Sequence, residues 1–256
     1  MNLLRIELHK ILPYRTVWVI LAIFVAMLLL LLYASSNVTI NGRELGSQMY
    51  NLPGFWQTLT YTASFFNLLF GILIIVLVSD EYSFRTFRQQ VIDGLSRAEL
   101  VLAKFYVVLG LSVFATLFLL LVGLYFGLLH GENRSFDDVF SRMDHLSYYF
   151  VQAVGYMTLA LLFGFLIRKS GLAIIAFIAY AQVVEPLIHF RLPDSVDKYM
   201  PIKVFKSLTP MPGQDVLDQL TTPTELLAPA WAAVLALLYI GLFWLLSYLT
   251  LKLRDL

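Results

Sequence analysis

The sequence predicts an all-α integral membrane protein with six transmembrane helices, and three observations carry that prediction. Of its 256 residues 59% are hydrophobic and 14% charged, with a mean hydropathy of +0.78, whereas a soluble domain carries about 25% charged residues. Long uncharged runs recur along the chain, each able to cross a hydrocarbon core of roughly 30 Å as a helix. The charges gather in the segments between those runs, as membrane-surface loops require. A net charge of +1 gives no case for a nucleic-acid partner. With no cysteine, disulfides, thiol catalysis and cysteine-ligated metals are excluded.

Residues 1–15 place Leu4, Leu8 and Ile11 on one helical face and Arg5, His9 and Lys10 elsewhere, with Pro13 closing the segment. This pattern predicts an N-terminal interfacial amphipathic helix, its apolar face in membrane lipid and its basic face toward phosphates. The competing reading makes it the n-region of a cleaved signal peptide with Val17 to Leu32 as h-region. Those 16 uninterrupted apolar residues exceed the usual run of about 7 to 15. The spans are expected at about 16–33, 55–78, 105–129, 147–167, 172–190 and 228–251, all within a single transmembrane domain covering 1–256.

Between the second and third spans lies a polar island, Ser79 to Lys104. Phe84, Phe87 and Val91 fall at i, i+3, i+7 while Arg85, Arg88 and Gln89 turn elsewhere, which predicts a short amphipathic helix. Asp93-Gly94 ends it, glycine being the residue that most cheaply takes a left-handed C-terminal conformation. Ser96 with Glu99 three positions on is a capping box, so the third helix starts at Arg97.

Between the fifth and sixth spans, residues 191–227 hold Pro193, Pro201, Pro210, Pro212 and Pro223, with Pro229 at the edge. Val196, Tyr199, Met200, Val204, Phe205 and Leu208 run between them. That composition is too apolar for a disordered linker. It predicts short helices folded back as a re-entrant segment, with non-helical backbone shielded by protein.

Lys and Arg divide unevenly. Arg5, Lys10, Arg15, Arg85, Arg88, Arg97, Lys104, Arg168, Lys169, Lys252 and Arg254 make 11 on one side, against 7 on the other: Arg43, Arg134, Arg142, Arg191, Lys198, Lys203 and Lys206. Four of the 7 lie in the longest loop, where the positive-inside rule is weak. Both termini and the island are therefore expected in the cytoplasm.

Catalytic chemistry is sparse. His9, His130, His145 and His189 are far apart, so no metal site is expected. No nucleophile motif is present, and Gly164 to Ser170 resembles a phosphate-binding loop only at its end, with Arg168 in place of the second glycine. Glu185, followed by Pro186 and with His189 at i+4, is the one carboxylate within the fifth span. The pair is a candidate outer gate, or marks where the span breaks; the competing reading is an interfacial carboxylate reaching water at a helix end. Asn67 and Gln152, polar groups inside other spans, are expected to be interhelical hydrogen-bond partners.

These features together resemble the permease subunit of type-2 (ABC-2) ABC exporters. The most specific part is Glu81-Tyr82-Ser83-Phe84-Arg85-Thr86-Phe87-Arg88 followed by Leu95-Ser96-Arg97 and Lys104, similar to that family's acidic residue, Gly-Thr, basic-apolar turn, Ser-Arg and Lys. Arg85 stands where the family usually has glycine. The resemblance, taken over nearly the whole chain, implies a cell-membrane protein that is not itself an enzyme. It also implies a second permease copy, and an ABC ATPase subunit on a separate chain that carries the ATP and Mg, with no cofactor here. The island would be a coupling helix, with Glu81, Arg85, Thr86, Arg88, Gln89, Asp93 and Arg97 contacting the ATPase. The alternative is a stand-alone six-span protein, with an immunity, structural or lipid-modifying role and no ATP coupling.

Overall fold

In a medium without water, a chain satisfies its backbone N–H and C=O groups by forming helices, and this chain does so almost throughout. The computed structural model describes residues 3–36, 39–40, 43–44, 50–130, 136–189, 191–214 and 226–253. Arg134, Phe190, Pro223 and Arg254, which entered the charge count or the span and loop limits, lie outside the described residues. In chain order the helices are α1 (Leu3–Ile11), α2 (Arg15–Ser36), α3 (Gly54–Ser64), α4 (Asn67–Ser83), α5 (Thr86–Ile92), α6 (Arg97–His130), α7 (Phe136–Phe140), α8 (Asp144–Ile167) and α9 (Ser170–Ala179). A π-helical turn (Tyr180–Val184) continues into α10 (Glu185–His189), followed by α11 (Asp194–Asp197), α12 (Pro201–Ser207) and α13 (Pro229–Leu253). The one departure from all-α among the described residues is a two-residue antiparallel pairing of Thr39–Ile40 with Arg43–Glu44.

Five helical runs are long and apolar enough to cross a membrane: α2, α6, α8, the run Ser170–His189 and α13. The pair α3 and α4, bent by 41°, makes a sixth if taken as one span. The sequence placed one span over about 55–78, and within it the helix breaks at Phe65 and Phe66. The cause is local. Thr60 Oγ1 donates to Trp56 O (2.8 Å), Thr62 Oγ1 to Thr58 O (2.8 Å) and Ser64 Oγ to Tyr61 O (2.7 Å), and hydroxyls bonding back this way bend helices. The third helix is also longer than the expected span, because its capping box starts it at Arg97. Its 34 residues extend about 51 Å, so its polar first turns reach beyond a roughly 30 Å apolar layer toward the island.

The centre of the bundle is α8, most of whose apolar stretch is buried, whereas most of Ser170–His189 is not. Close approach is made possible by glycine. A Cβ on Gly155 would lie 2.5 Å from the ring of Phe205, and one on Gly123 would lie 2.1 Å from the ring of Trp56. Trp56 also donates its indole N–H to Val139 O at 2.9 Å, tying α3 to α7. Ile202, Val204, Phe205 and Leu208 are buried, and α12 packs on α8 and α13. Gly155 is 11 residues along α8 from Asp144, about 17 Å, so α12 penetrates the bundle rather than resting on its end.

Candidate functional site

The island changes direction where α4 stops. Arg85 takes a left-handed conformation (φ 57°, ψ 23°), which ends α4 and starts α5 in a new direction. Left-handed backbone crowds any side chain and is most readily adopted by glycine, so the position at which the resembled pattern carries glycine needs that residue's freedom. Thr86 Oγ1 donates to Glu81 O at 3.2 Å across the turn. At the other end Gly94 has φ +97°, with Gly94 N–H donating to Val91 O (3.1 Å) and Leu95 N–H to Gln90 O (3.0 Å). The expected capping box forms: Ser96 N–H donates to Glu99 Oε2 (2.8 Å) and Glu99 N–H to Ser96 Oγ (3.3 Å).

The turn at Arg85 changes which residues face outward. The sequence placed Phe84, Phe87 and Val91 on one apolar face, and the structure corrects the first of these. Phe87 is buried against Tyr82 and Phe165, with ring centroids 4.9 and 5.8 Å apart, whereas Phe84, on the far side of the left-handed residue, is 75% exposed. Ile92 at the end of α5 is 77% exposed. Arg85, Arg88, Gln89 and Asp93 are exposed on the same short helix or its flanks, and Gln89 Nε2 donates to Asp93 Oδ1 at 3.4 Å. The island thus presents two large apolar side chains separated by two arginines, an amide and a carboxylate, while its buried face is held by protein.

Two residues expected in a contact role are used internally. Arg97 donates from Nη1 to Leu251 O at 3.0 Å and to Lys252 O, satisfying two of the carbonyls in the last turn of α13. Glu81 is buried in a cluster of four charges. Lys104 Nζ lies 2.7 Å from Glu7 Oε2 and 2.5 Å from Glu81 Oε1, while Lys10 Nζ lies 3.2 Å from Glu7 Oε1 and 2.9 Å from Glu81 Oε1. Tyr14 donates to the neighbouring Asp80. Burial by itself would raise the Glu7 carboxyl, but Lys104 and then Lys10 hold it below the usual carboxylate range. Two cations and two anions cancel, which lets charge be buried where one alone would be costly.

This cluster joins α1, the end of α4 and the start of α6. α1 accordingly turns Glu7 inward and leaves Leu4 and Leu8 of the face expected to meet lipid exposed, whereas Ile11, the third residue of that face, is partly buried against the core. Arg168, also left-handed (φ 59°), places its guanidinium 4.9 Å from the Tyr82 ring centroid. Residue Glu7 was missed by the sequence reading, although an acidic residue three before Lys10 on a basic helix was a visible signal.

At the opposite end Glu185 is fully buried, correcting the reading of a carboxylate that reaches water. Its Oε1 accepts from Ile202 N–H (2.6 Å) and Lys203 N–H (3.0 Å), the orphan amides at the start of α12. His189 has Nε2 3.8 Å from Glu185 Oε1 and Nδ1 3.4 Å from Asp197 Oδ2, and Lys203 Nζ is 2.6 Å from that same Asp197 oxygen. The π-helical turn directly precedes Glu185, so the fifth helix changes its winding where the sequence placed a break. Deeper in, Asn67 Nδ2 donates to Gln152 Oε1 (3.1 Å), and Gln152 Nε2 donates to Phe205 O (2.9 Å) and Thr209 Oγ1 (2.8 Å). The two intramembrane amides are thus partners of each other and of α12, as expected.

A search of curated proteins gives no match. A family model described as ABC-2 family transporter protein matches residues 3–184, a range that runs from α1 through the π-helical turn and includes the whole island. The match stops short of α12 and α13, on which the sequence resemblance had also drawn. With most of its length so matched, the chain belongs to the ABC-2 family of transporter proteins.

Proposed function

We propose that the chain is the permease subunit of an ATP-driven exporter, two copies enclosing a translocation path and each docking α5 as a coupling helix on a separate ATPase. The observation that carries this reading is the exposed face of the island, with Phe84 and Ile92 at 75% and 77% exposure around Arg85, Arg88, Gln89 and Asp93. Large apolar side chains mixed with arginine are the composition of protein-binding patches. Because Phe87 and Leu95 are buried in protein, the island's inner face is not available to lie on lipid. The elements behind it are packed helices, which shift as units and so transmit a partner's movement. In this reading α1 is interfacial, both termini and the island are cytoplasmic, α11 and α12 form a re-entrant segment, and Glu185 with His189 closes the outer mouth by holding α12. ATP and Mg belong to the ATPase.

Glu81 and Arg97 then act through the island's position, and direct contact falls to Arg85, Thr86, Arg88, Gln89 and Asp93. The test is a mild-detergent purification of tagged protein from its own host with an ATPase assay on what accompanies it. A stoichiometric ATPase is expected. Arg88→Glu or Asp93→Lys should lower its retention and stimulated hydrolysis by about tenfold, since reversed charges juxtapose like with like, while membrane insertion and the control Arg43→Glu are unaffected. Full retention in both island variants would remove the coupling role.

A further inference from the structure

A groove of about 330 Å³ opens on the bundle surface beside α12, between the α3–α4 break, α8 and the π-helical turn. Its walls are of two kinds. Phe65, 63% exposed, and Met211, 41% exposed, line it together with Leu68 and Tyr156. Lys206 and Gln182 supply polar groups, both side chains exposed. Gln182 lies seven residues before the end of α10 at His189, about 10 Å along the helix. Phe65 lies 11 residues from the start of α3, about 16 Å. The groove is therefore set into the apolar thickness of the protein, yet it holds a lysine.

Among the described residues that lysine makes no close ion pair, and the carboxylate whose charge it acts on is Glu185. Glu185, which is fully buried, has its Oε1 on the α12 amides, and Asp197 takes Lys203. A cation within the membrane is costly unless it meets an anion or reaches water, and such residues mark ligand sites. Here Phe65, Leu68 and Met211 line the same open groove as the cation, which suits a ligand that is anionic at one end and hydrocarbon at the other.

We infer that this groove binds a membrane lipid with an anionic phosphodiester headgroup, the phosphate meeting Lys206 and the Gln182 amide and an acyl chain lying along Phe65, Leu68 and Met211. Binding here involves neither α5 nor ATP, so it is read separately from coupling to an ATPase. The experiment reconstitutes the full chain in nanodiscs carrying phosphatidylglycerol or phosphatidylcholine with a diazirine in mid-chain, followed by photolysis and peptide mapping. Phosphatidylglycerol should label the peptides of Phe65, Leu68 and Met211 about tenfold more than phosphatidylcholine, and Lys206→Gln should remove that preference, as expected for loss of one charge-assisted hydrogen bond.

Lys206→Arg should retain the preference and Gln182→Leu should weaken it, with labelling along α2 constant in every variant as the measure of intact protein. Equal labelling by the two lipids, or labelling indifferent to Lys206→Gln, would show bulk lipid only and overturn the site. Displacement by glycerol 3-phosphate added in water would overturn the lipid as source in favour of a soluble organic phosphate.

Discussion

Lys104 Nζ lies 2.7 Å from Glu7 Oε2 with both side chains buried, so a residue in the third helical turn of α6 is fixed to the helix that opens the described chain. The same ammonium reaches Glu81 at the end of α4, four residues before the island turns at Arg85. Breaking a buried pair by removing one partner typically costs about 3 to 5 kcal/mol, because the other charge stays buried without compensation. Lys104→Met should therefore destabilise the protein by about 3 kcal/mol. The double variant Glu7→Gln with Lys104→Met should lose less than the sum of the two single changes. Denaturant titrations of the four proteins in detergent measure the coupling, and strict additivity would show that the two residues do not act together.

The same cluster fixes a pH dependence. Glu7 is held below its ordinary value of about 4.5, so its contribution to stability is complete above that value and is lost as pH falls through the lowered native one. α1 should stay docked with unchanged protection from pH 8 to about 5, then loosen only in more acidic solution. Hydrogen exchange of the α1 amides, corrected for intrinsic rates, reads this directly. Loosening between pH 7 and 6 would mean that another group holds the helix.

Arg85 combines two roles that substitution separates. A non-glycine residue in left-handed backbone costs roughly 1 to 2 kcal/mol, so Arg85→Gly should raise the stability of the island by about 1 kcal/mol while lowering retention of the ATPase. Arg85→Val should lower both, because a β-branched side chain fits φ 57° least well. A thermal scan alongside the co-purification assay distinguishes the two effects; equal stability of the glycine and valine variants would show that the turn carries no strain.

The features the sequence made legible are those decided by neighbours in the chain. The Ser96–Glu99 box, the left-handed Gly94 and the apolar spans each depend on residues within a few positions, where spacing carries the information. Phe84 went the other way because periodicity assumes one continuous helix, and a single left-handed residue at Arg85 resets the face. The α3–α4 bend was hidden in Thr60, Thr62 and Ser64, since a hydroxyl turned to solvent, to a neighbour or to its own helix leaves the same sequence pattern. Glu7 and Lys104 are 97 positions apart, and only the folded bundle brings them together. Glu185 looked like a surface carboxylate because its partners are backbone amides of α12, which carry no signature in the sequence.

Those amides make Glu185 the residue with the sharpest prediction at the α12 end of the bundle. Its Oε1 accepts from Ile202 and Lys203 N–H, a task that needs an oxygen acceptor more than a charge. Glu185→Gln keeps a carbonyl oxygen in place and should cost little, whereas Glu185→Ala leaves two amides at the start of α12 unsatisfied, at about 1 to 3 kcal/mol for a buried donor. The chain contains no cysteine, so a single cysteine at Met211, just beyond α12, reports the segment's docking without background. Its reaction with a membrane-impermeant maleimide should accelerate severalfold in Glu185→Ala and stay near the parent rate in Glu185→Gln. If instead the glutamine variant exposes Met211→Cys as fully as the alanine one, the negative charge and its neighbours His189 and Lys203 hold α12, and the backbone bonds are secondary.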